Sequence, residues 1–209
     1  LCEQEYHSVV RCALGWACWK TYVGRPETDQ VRSAAMTQLA NGLSAVDLHT
    51  DALSVEEAVL SLERRCGGSE RSILAVQTNL AVTYRRLGRL EEAVRTERDV
   101  YSGWVRLHGE DHELTLRAAG NYAMSLSELQ RFEEARSLMR KSIPVARRAL
   151  GESKEITLKM RWTYARAIYA DADATLDDLR EAVMTLEDAG RIARRVLGGA
   201  HPTTFGVEC

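Results

Sequence analysis

Residues 69–109 read SERSILAVQTNLAVTYRRLGRLEEAVRTERDVYSGWVRLHG, and residues 111–151 repeat their plan as DHELTLRAAGNYAMSLSELQRFEEARSLMRKSIPVARRALG. In the first copy Ser69 offers a side-chain oxygen to an unpaired backbone N–H, which suits an N-cap. Ile73, Val76, Leu80, Val82 and Tyr84 follow as a wide apolar stripe at helical spacing, until Leu87-Gly88 closes the segment. A second amphipathic segment opens at Leu90-Glu91-Glu92-Ala93, with its acidic residues in the first turn, where the helix dipole favours them. It runs through Val100, Tyr101 and Val105 to His108-Gly109. The pattern predicts an antiparallel hairpin, helix A followed by helix B. In the second copy Asp111 takes the capping place, Leu116, Tyr122, Ala123 and Leu126 form the stripe, and Phe132-Glu133-Glu134-Ala135 opens helix B.

The repeat extends outward from this pair. Gly67, Gly109 and Gly151 stand 42 residues apart, and Gly24 and Gly198 close the flanking segments. Leu39-Ala40, Leu80-Ala81, Tyr122-Ala123 and Tyr164-Ala165 each precede a second alanine, at Ala52, Ala93, Ala135 and Ala182. A small side chain where A crosses B lets the two backbones approach closely enough to interdigitate their ridges. A fixed period of this length is the signature of a stacked array. The expected organisation is an orphan helix over 1–24 resembling helix B of a preceding repeat, and repeats over 28–67, 69–109, 111–151 and 153–198. The start of a further repeat occupies 200–209, where His201-Pro202-Thr203-Thr204 opens another helix A. The first repeat has an irregular turn at Asp47-Leu48-His49, and the fourth carries five extra residues between its helices, within Ala170 to Thr175. Both ends read as interrupted, as in a fragment of a longer array or a chain whose ends pack on something else. The expected fold is all-α, a right-handed α-solenoid of stacked helix hairpins whose A helices line the concave side.

Bulk composition agrees. Of 209 residues 45% are hydrophobic, with only two Phe and three Pro, and Ala, Leu, Arg and Glu are abundant, which favours helices over sheets. The formal charge is −2, from 28 basic and 30 acidic side chains that are interspersed, so neither nucleic acid nor an anionic membrane is an expected partner. No apolar run approaches the roughly 20 residues needed to span a bilayer, and Leu-Cys-Glu-Gln-Glu at the start is unlike a signal peptide, so the default location is cytoplasmic. Five cysteines, Cys2, Cys12, Cys18, Cys66 and Cys209, contain no CxxC pair; they read as reduced packing thiols, and Cys12 and Cys18 fall on different faces of their segment, unlike metal ligands.

Several groupings invite a sharper interpretation. Asp171, Asp173, Thr175 and Asp177 resemble the opening of a calcium loop, but Leu176 and Ala182 stand where such a loop needs Gly and a bidentate Glu. Thr175 as a helix cap, with Asp177 and Asp178 in the first turn, explains them. Trp16 and Trp19 are expected to pack against Met36, Leu39 and Leu43. Pro144 lies inside a helix B and should bend it. Arg136, Arg140, Lys141, Arg147 and Arg148 read as a solvated outer face among Glu133, Glu134 and Glu152. The five histidines sit mostly at helix ends, and no GxSxG, HExxH, P-loop or GxGxxG occurs. No catalytic residue, cofactor or metal is expected.

Leu39-Ala40 with Leu43 and Ala52, Asn79-Leu80-Ala81 with Tyr84, Gly88 and Ala93, Asn121-Tyr122-Ala123 with Ala135, and the closing Leu-Gly-x-x-His-Pro-x-Thr resemble tetratricopeptide repeats, of the 42-residue kind found in kinesin light chains. The resemblance covers nearly all of 28–204 and is best over 69–157, although Glu113 replaces the proline of the family's His-Pro. Nothing resembles the coiled-coil segment by which kinesin light chains join the motor. The resemblance implies a non-catalytic scaffold that binds a protein or peptide in its concave groove, at Gln38, Asn41, Asn79, Arg85, Arg86, Arg117, Asn121, Lys159 and Arg166. Asn79 and Asn121 match the family's asparagine and would bond the backbone of an extended peptide, whereas Thr163 replaces it in the last repeat. The basic members suggest an acidic ligand, because arginine binds carboxylates bidentately. A rival expectation is a regulatory or self-assembling array of a larger protein whose effector or enzyme domain lies outside this chain.

Overall fold

The computed structural model describes residues 3–198. These form nine α-helices and no strand: α1 (Glu3–Tyr22), α2 (Gln30–Ala45), α3 (His49–Arg65), α4 (Glu70–Arg86), α5 (Leu90–His108), α6 (Glu113–Glu128), α7 (Phe132–Leu150), α8 (Glu155–Tyr169) and α9 (Leu176–Leu197). Residues 200–209, expected to open a further repeat, and with them His201, Cys2 and Cys209, lie outside the described residues.

The helix ends follow from local chemistry. Ser69 accepts the Ser72 N–H at 3.1 Å, as its place before the stripe predicts. Thr175 and Asp178 form a reciprocal capping box at the start of α9, so the aspartates after the insertion serve the helix. Asp111 does not cap α6. His112 does, with Nδ1 accepting from the Leu114 N–H at 3.2 Å, because the chain is still extended at His112 and turns helical one residue later than expected. At the other ends Gly67, Gly109, Gly151 and Gly198 have φ between 70° and 92°, a region where a Cβ is strained; Gly24 does not share it. Its helix stops earlier, at Tyr22. The irregular turn before His49 contains Asp47 at φ 60°.

Packing divides the chain into two compact units, Leu1–Thr96 and Glu97–Cys209, with the boundary inside α5. In the first, α1 packs on α2, α2 on α3 and α3 on α4. One core cluster joins Leu39, Leu43 and Ala52 with Trp19, and a second joins Leu53, Val59, Val76 and Leu80 with Met36 and Tyr84. Trp19 therefore packs as expected, but Trp16 is 45% exposed. In the second unit α6 packs on α7, α7 on α8, α8 on α9, and α6 also on α8. Leu158, Ala189 and Ala193 form a cluster there with Trp162 and Leu186. Every alanine of the repeated pairs is buried: Ala40, Ala52, Ala81, Ala93, Ala123, Ala135, Ala165 and Ala182.

The basic run on α7 departs from expectation at two positions. Arg136 is only 12% exposed and reaches Asp171 at 3.1 Å, while Arg140 donates to the Tyr164 hydroxyl at 2.9 Å. Both therefore tie α7 to the neighbouring hairpin. Lys141, by contrast, is exposed and pairs with Glu110 at 3.0 Å.

Candidate functional site

In the first unit α2 supplies Gln38 and Asn41, and α4 supplies Asn79, Arg85 and Arg86. The carboxylate of Glu63 on α3 clasps both helices. It accepts the Ser33 hydroxyl of α2 and the Ser72 hydroxyl of α4, each at 2.6 Å. Over this clasp lies a groove of about 820 Å³ whose walls include Gln38, Asn79, Thr37 and Val76. Further along the same helices a smaller cavity of about 260 Å³ is lined by Asn41, Asn79 and Arg86, with Arg11, His49 and Glu56. Asn79 borders both spaces. The structure thus brings Gln38, Asn41, Asn79 and Arg86 to one continuous side of this unit. Arg85 is half-buried in the last turn of α4 and borders neither cavity.

Arg117 and Asn121 stand on α6 and Lys159 and Arg166 on α8, helices that pack side by side in the second unit. All three basic candidates are engaged with carboxylates. Arg117 meets Glu113 at 2.9 Å, Lys159 meets Glu155 at 2.7 Å, and Arg166 meets Glu128 at 3.7 Å while lying over the Trp162 ring. Glu113 also faces Lys154 at 3.4 Å, and Lys154 first, then Arg117, holds its carboxyl below the ordinary range despite some desolvation. The face is therefore a mosaic of pairs and not a bare basic stripe, a consequence of i,i+4 spacing that was visible in Glu113/Arg117 and Glu155/Lys159.

Sequence reasoning missed Glu56. It lies in the middle of α3, 4% exposed, and burial lifts its carboxyl to about 7, against which the Thr83 hydroxyl acts by hydrogen bonding. The signal lay in the repeat itself. Four residues beyond the buried alanine of each helix B stand Glu56, Glu97, Met139 and Leu186, so a carboxylate twice occupies a place that is apolar in the other repeats. Glu97 is likewise buried, at 3% exposure. An acid shifted by burial and lying in a cleft is a candidate for a functional position. No group of three or more His, Cys, Asp or Glu is poised around a metal among the described residues, and none of the helices described is long and apolar enough to cross a membrane. The chemistry on offer is hydrogen bonding and ion pairing on extended helix faces.

Residues 73–113 and 115–153 match the tetratricopeptide repeat family. No curated protein matches the sequence. Among solved structures, two crystal structures of a Podosopora anserina putative kinesin light chain with nearly identical TPR-like repeats are similar to this chain. One, of a singly substituted form, has a TM-score of 0.71 at 19% identity, covering 94% of this chain and 99% of that one. The other has a TM-score of 0.70 at 20% identity, covering 92% and 94%. BtubC (BKLC) from P. vanneervenii is similar at a TM-score of 0.61 and 14% identity, over 95% of this chain and 85% of that one. Residues 73–153 are thus similar to the tetratricopeptide repeat family, and the all-α fold is similar to that of the kinesin light chain-like repeats.

Proposed function

We propose that the chain is a non-catalytic scaffold, working in the cytoplasm, that holds a protein or peptide segment along the faces of its A helices. Gln38, Asn41, Asn79, Arg85, Arg86, Arg117, Asn121, Lys159 and Arg166 are the proposed contacts. The observation that carries the proposal is the shared border at Asn79, with Gln38 on one side and Asn41 and Arg86 on the other. A carboxamide offers both donor and acceptor, which matches the N–H and C=O groups of an extended segment. An acidic ligand suits the basic members. Their present ion pairs are exposed and screened by water, so a ligand carboxylate can replace Glu113 or Glu155 at small cost. Arginine adds a bidentate geometry that favours carboxylates.

Recovery of bound partners by the immobilised chain, compared with a copy carrying Asn79→Ala and Asn121→Ala, tests the scaffold. The double variant should keep its helical circular dichroism and lose the partners; equal recovery removes the proposal. Alanine at Arg117 and Lys159 should weaken binding of a glutamate-rich peptide several-fold, and unchanged affinity would exclude an acidic ligand.

A further inference from the structure

The cavity of about 260 Å³ between α1, α2, α3 and α4 holds a carboxyl group whose hydrogen-bonding capacity the fold leaves half-used. Glu56 takes the Thr83 hydroxyl, but its Oε2 is buried with no partner. Beside it His49 turns Nε2 to Asp47 at 3.4 Å, and its Nδ1 is also buried without a partner. A polar atom shut away unpaired is destabilising, so a guest that bonds to either of these two groups gains by relieving that cost.

The rest of the lining says which guest fits. Glu56 is its only acidic residue. Arg11 comes from α1, Arg86 from α4, and neither guanidinium is paired with a carboxylate among the described residues; α2 adds the neutral Asn41, and α4 adds Asn79. A cationic guest would need an ionised Glu56 and would face two unpaired guanidinium groups. A carboxylate guest finds donors on every wall, and finds one more in Glu56 when that side chain holds its proton. Burial makes the protonated form available near neutral pH. The volume lies below the roughly 300–1,000 Å³ of sites for drug-sized ligands, and suits one acidic side chain or a chain terminus.

We propose that this cavity is a carboxylate socket in which protonated Glu56 donates a hydrogen bond to the guest, so that binding takes up a proton from solvent wherever the empty socket holds Glu56 ionised. The proposal rests on the scaffold function above and assigns it a pH dependence. Besides Glu56, the charged or titratable groups around the socket are Arg11, His49 with Asp47, and Arg86.

Propionate is a sufficient probe, titrated into the whole chain while the Asn41 and Asn79 side-chain amide signals are followed by NMR. Affinity should be nearly level below pH 7 and fall about tenfold per unit above it, about thirtyfold between pH 6.0 and 8.5 for a group titrating near 7. Glu56→Gln keeps a donor at every pH, so it should bind propionate with no such slope, whereas His49→Gln should keep the slope. A slope that survives in Glu56→Gln and disappears in His49→Gln places the proton on the imidazole and overturns the assignment. Propylammonium shifting these signals in preference to propionate, or propionate leaving them unmoved at pH 6, overturns the socket itself. None of these results depends on recovery of partners by the Asn79/Asn121 variant, so the socket and the scaffold can fail separately.

Discussion

A carboxyl group shut away from water keeps its proton to higher pH, and Glu56 does so to about 7 against an ordinary 4.5. Below pH 4.5 the folded and unfolded chains are both protonated there, and the group is neutral in its effect on stability. Between 4.5 and 7 the unfolded chain gives up its proton first, so stability falls as pH rises; above about 7 the loss is complete, at about 3 kcal/mol. Glu56→Gln removes this dependence. Thermal melts should show the variant gaining on the wild type between pH 4 and pH 8, and a constant difference would mean that the carboxyl is hydrated in the folded chain. Tyr164 is a simpler case. Its hydroxyl accepts from Arg140 at 2.9 Å and donates to Glu181 at 2.8 Å, linking α7, α8 and α9. Tyr164→Phe should cost about 1 kcal/mol in chemical denaturation, near the ordinary net value of a hydrogen bond, because water can reach the exposed Arg140 and Glu181 left behind. A loss above about 3 kcal/mol would mean that water does not reach them.

At the scale of helices, the contact between α1 and α2 is set by two glycines. A Cβ at Gly15 would stand 2.7 Å from the Gln38 carbonyl oxygen, and one at Gly42 would stand 2.9 Å from the Arg11 carbonyl oxygen and from the Cys12 Cα. Alanine gains about 1 kcal/mol of helix propensity over glycine, but overpacking costs about 1–3 kcal/mol, and the obstructing atoms are backbone that cannot swing aside. The steric term wins. Gly42→Ala should lower the melting temperature, most clearly when combined with Gly15→Ala, and a rise would mean that the helices can separate freely. The same contact shows what a sequence can disclose. The alanines at the A–B crossings were legible because they recur with the period, and they are buried in every repeat. Gly15 and Gly42 occur once, in helices where a lone glycine signals only a weak helix former, so their function appears only when two backbones are placed side by side. His112 displaced Asp111 as a cap for a similar reason: sequence pattern finds a capping region, and backbone conformation chooses the residue within it. Among the candidate contacts, the pairs Glu113/Arg117 and Glu155/Lys159 were legible from i,i+4 spacing, whereas Arg166 meets Glu128 of a different helix and that pair appears only when α6 and α8 are placed side by side.

Across the whole molecule, 28 basic and 30 acidic side chains nearly cancel, and much of the cancellation is local, as in Arg25–Asp29, Arg131–Glu134 and Lys159–Glu155. A surface charged in this way has little long-range field, so a charged ligand would be recognised by exchange of partners at short range. Glu113 is the test of that idea, because it occupies two cations at once, Arg117 at 2.9 Å and Lys154 at 3.4 Å. Glu113→Gln frees both without altering the shape of the side chain. If the proposed acidic ligand binds along α6 and α8, calorimetry with a glutamate-rich peptide should give an affinity about two- to fivefold higher for the variant near 50 mM salt, the size of one exposed ion pair no longer broken. Near 1 M salt, where the screening length falls to about 3 Å, the two chains should bind alike. An affinity that does not rise at low salt would mean that Arg117 and Lys154 serve the helices alone, and the ligand face would then contract to the amides of Gln38, Asn41 and Asn79 and the socket beside them.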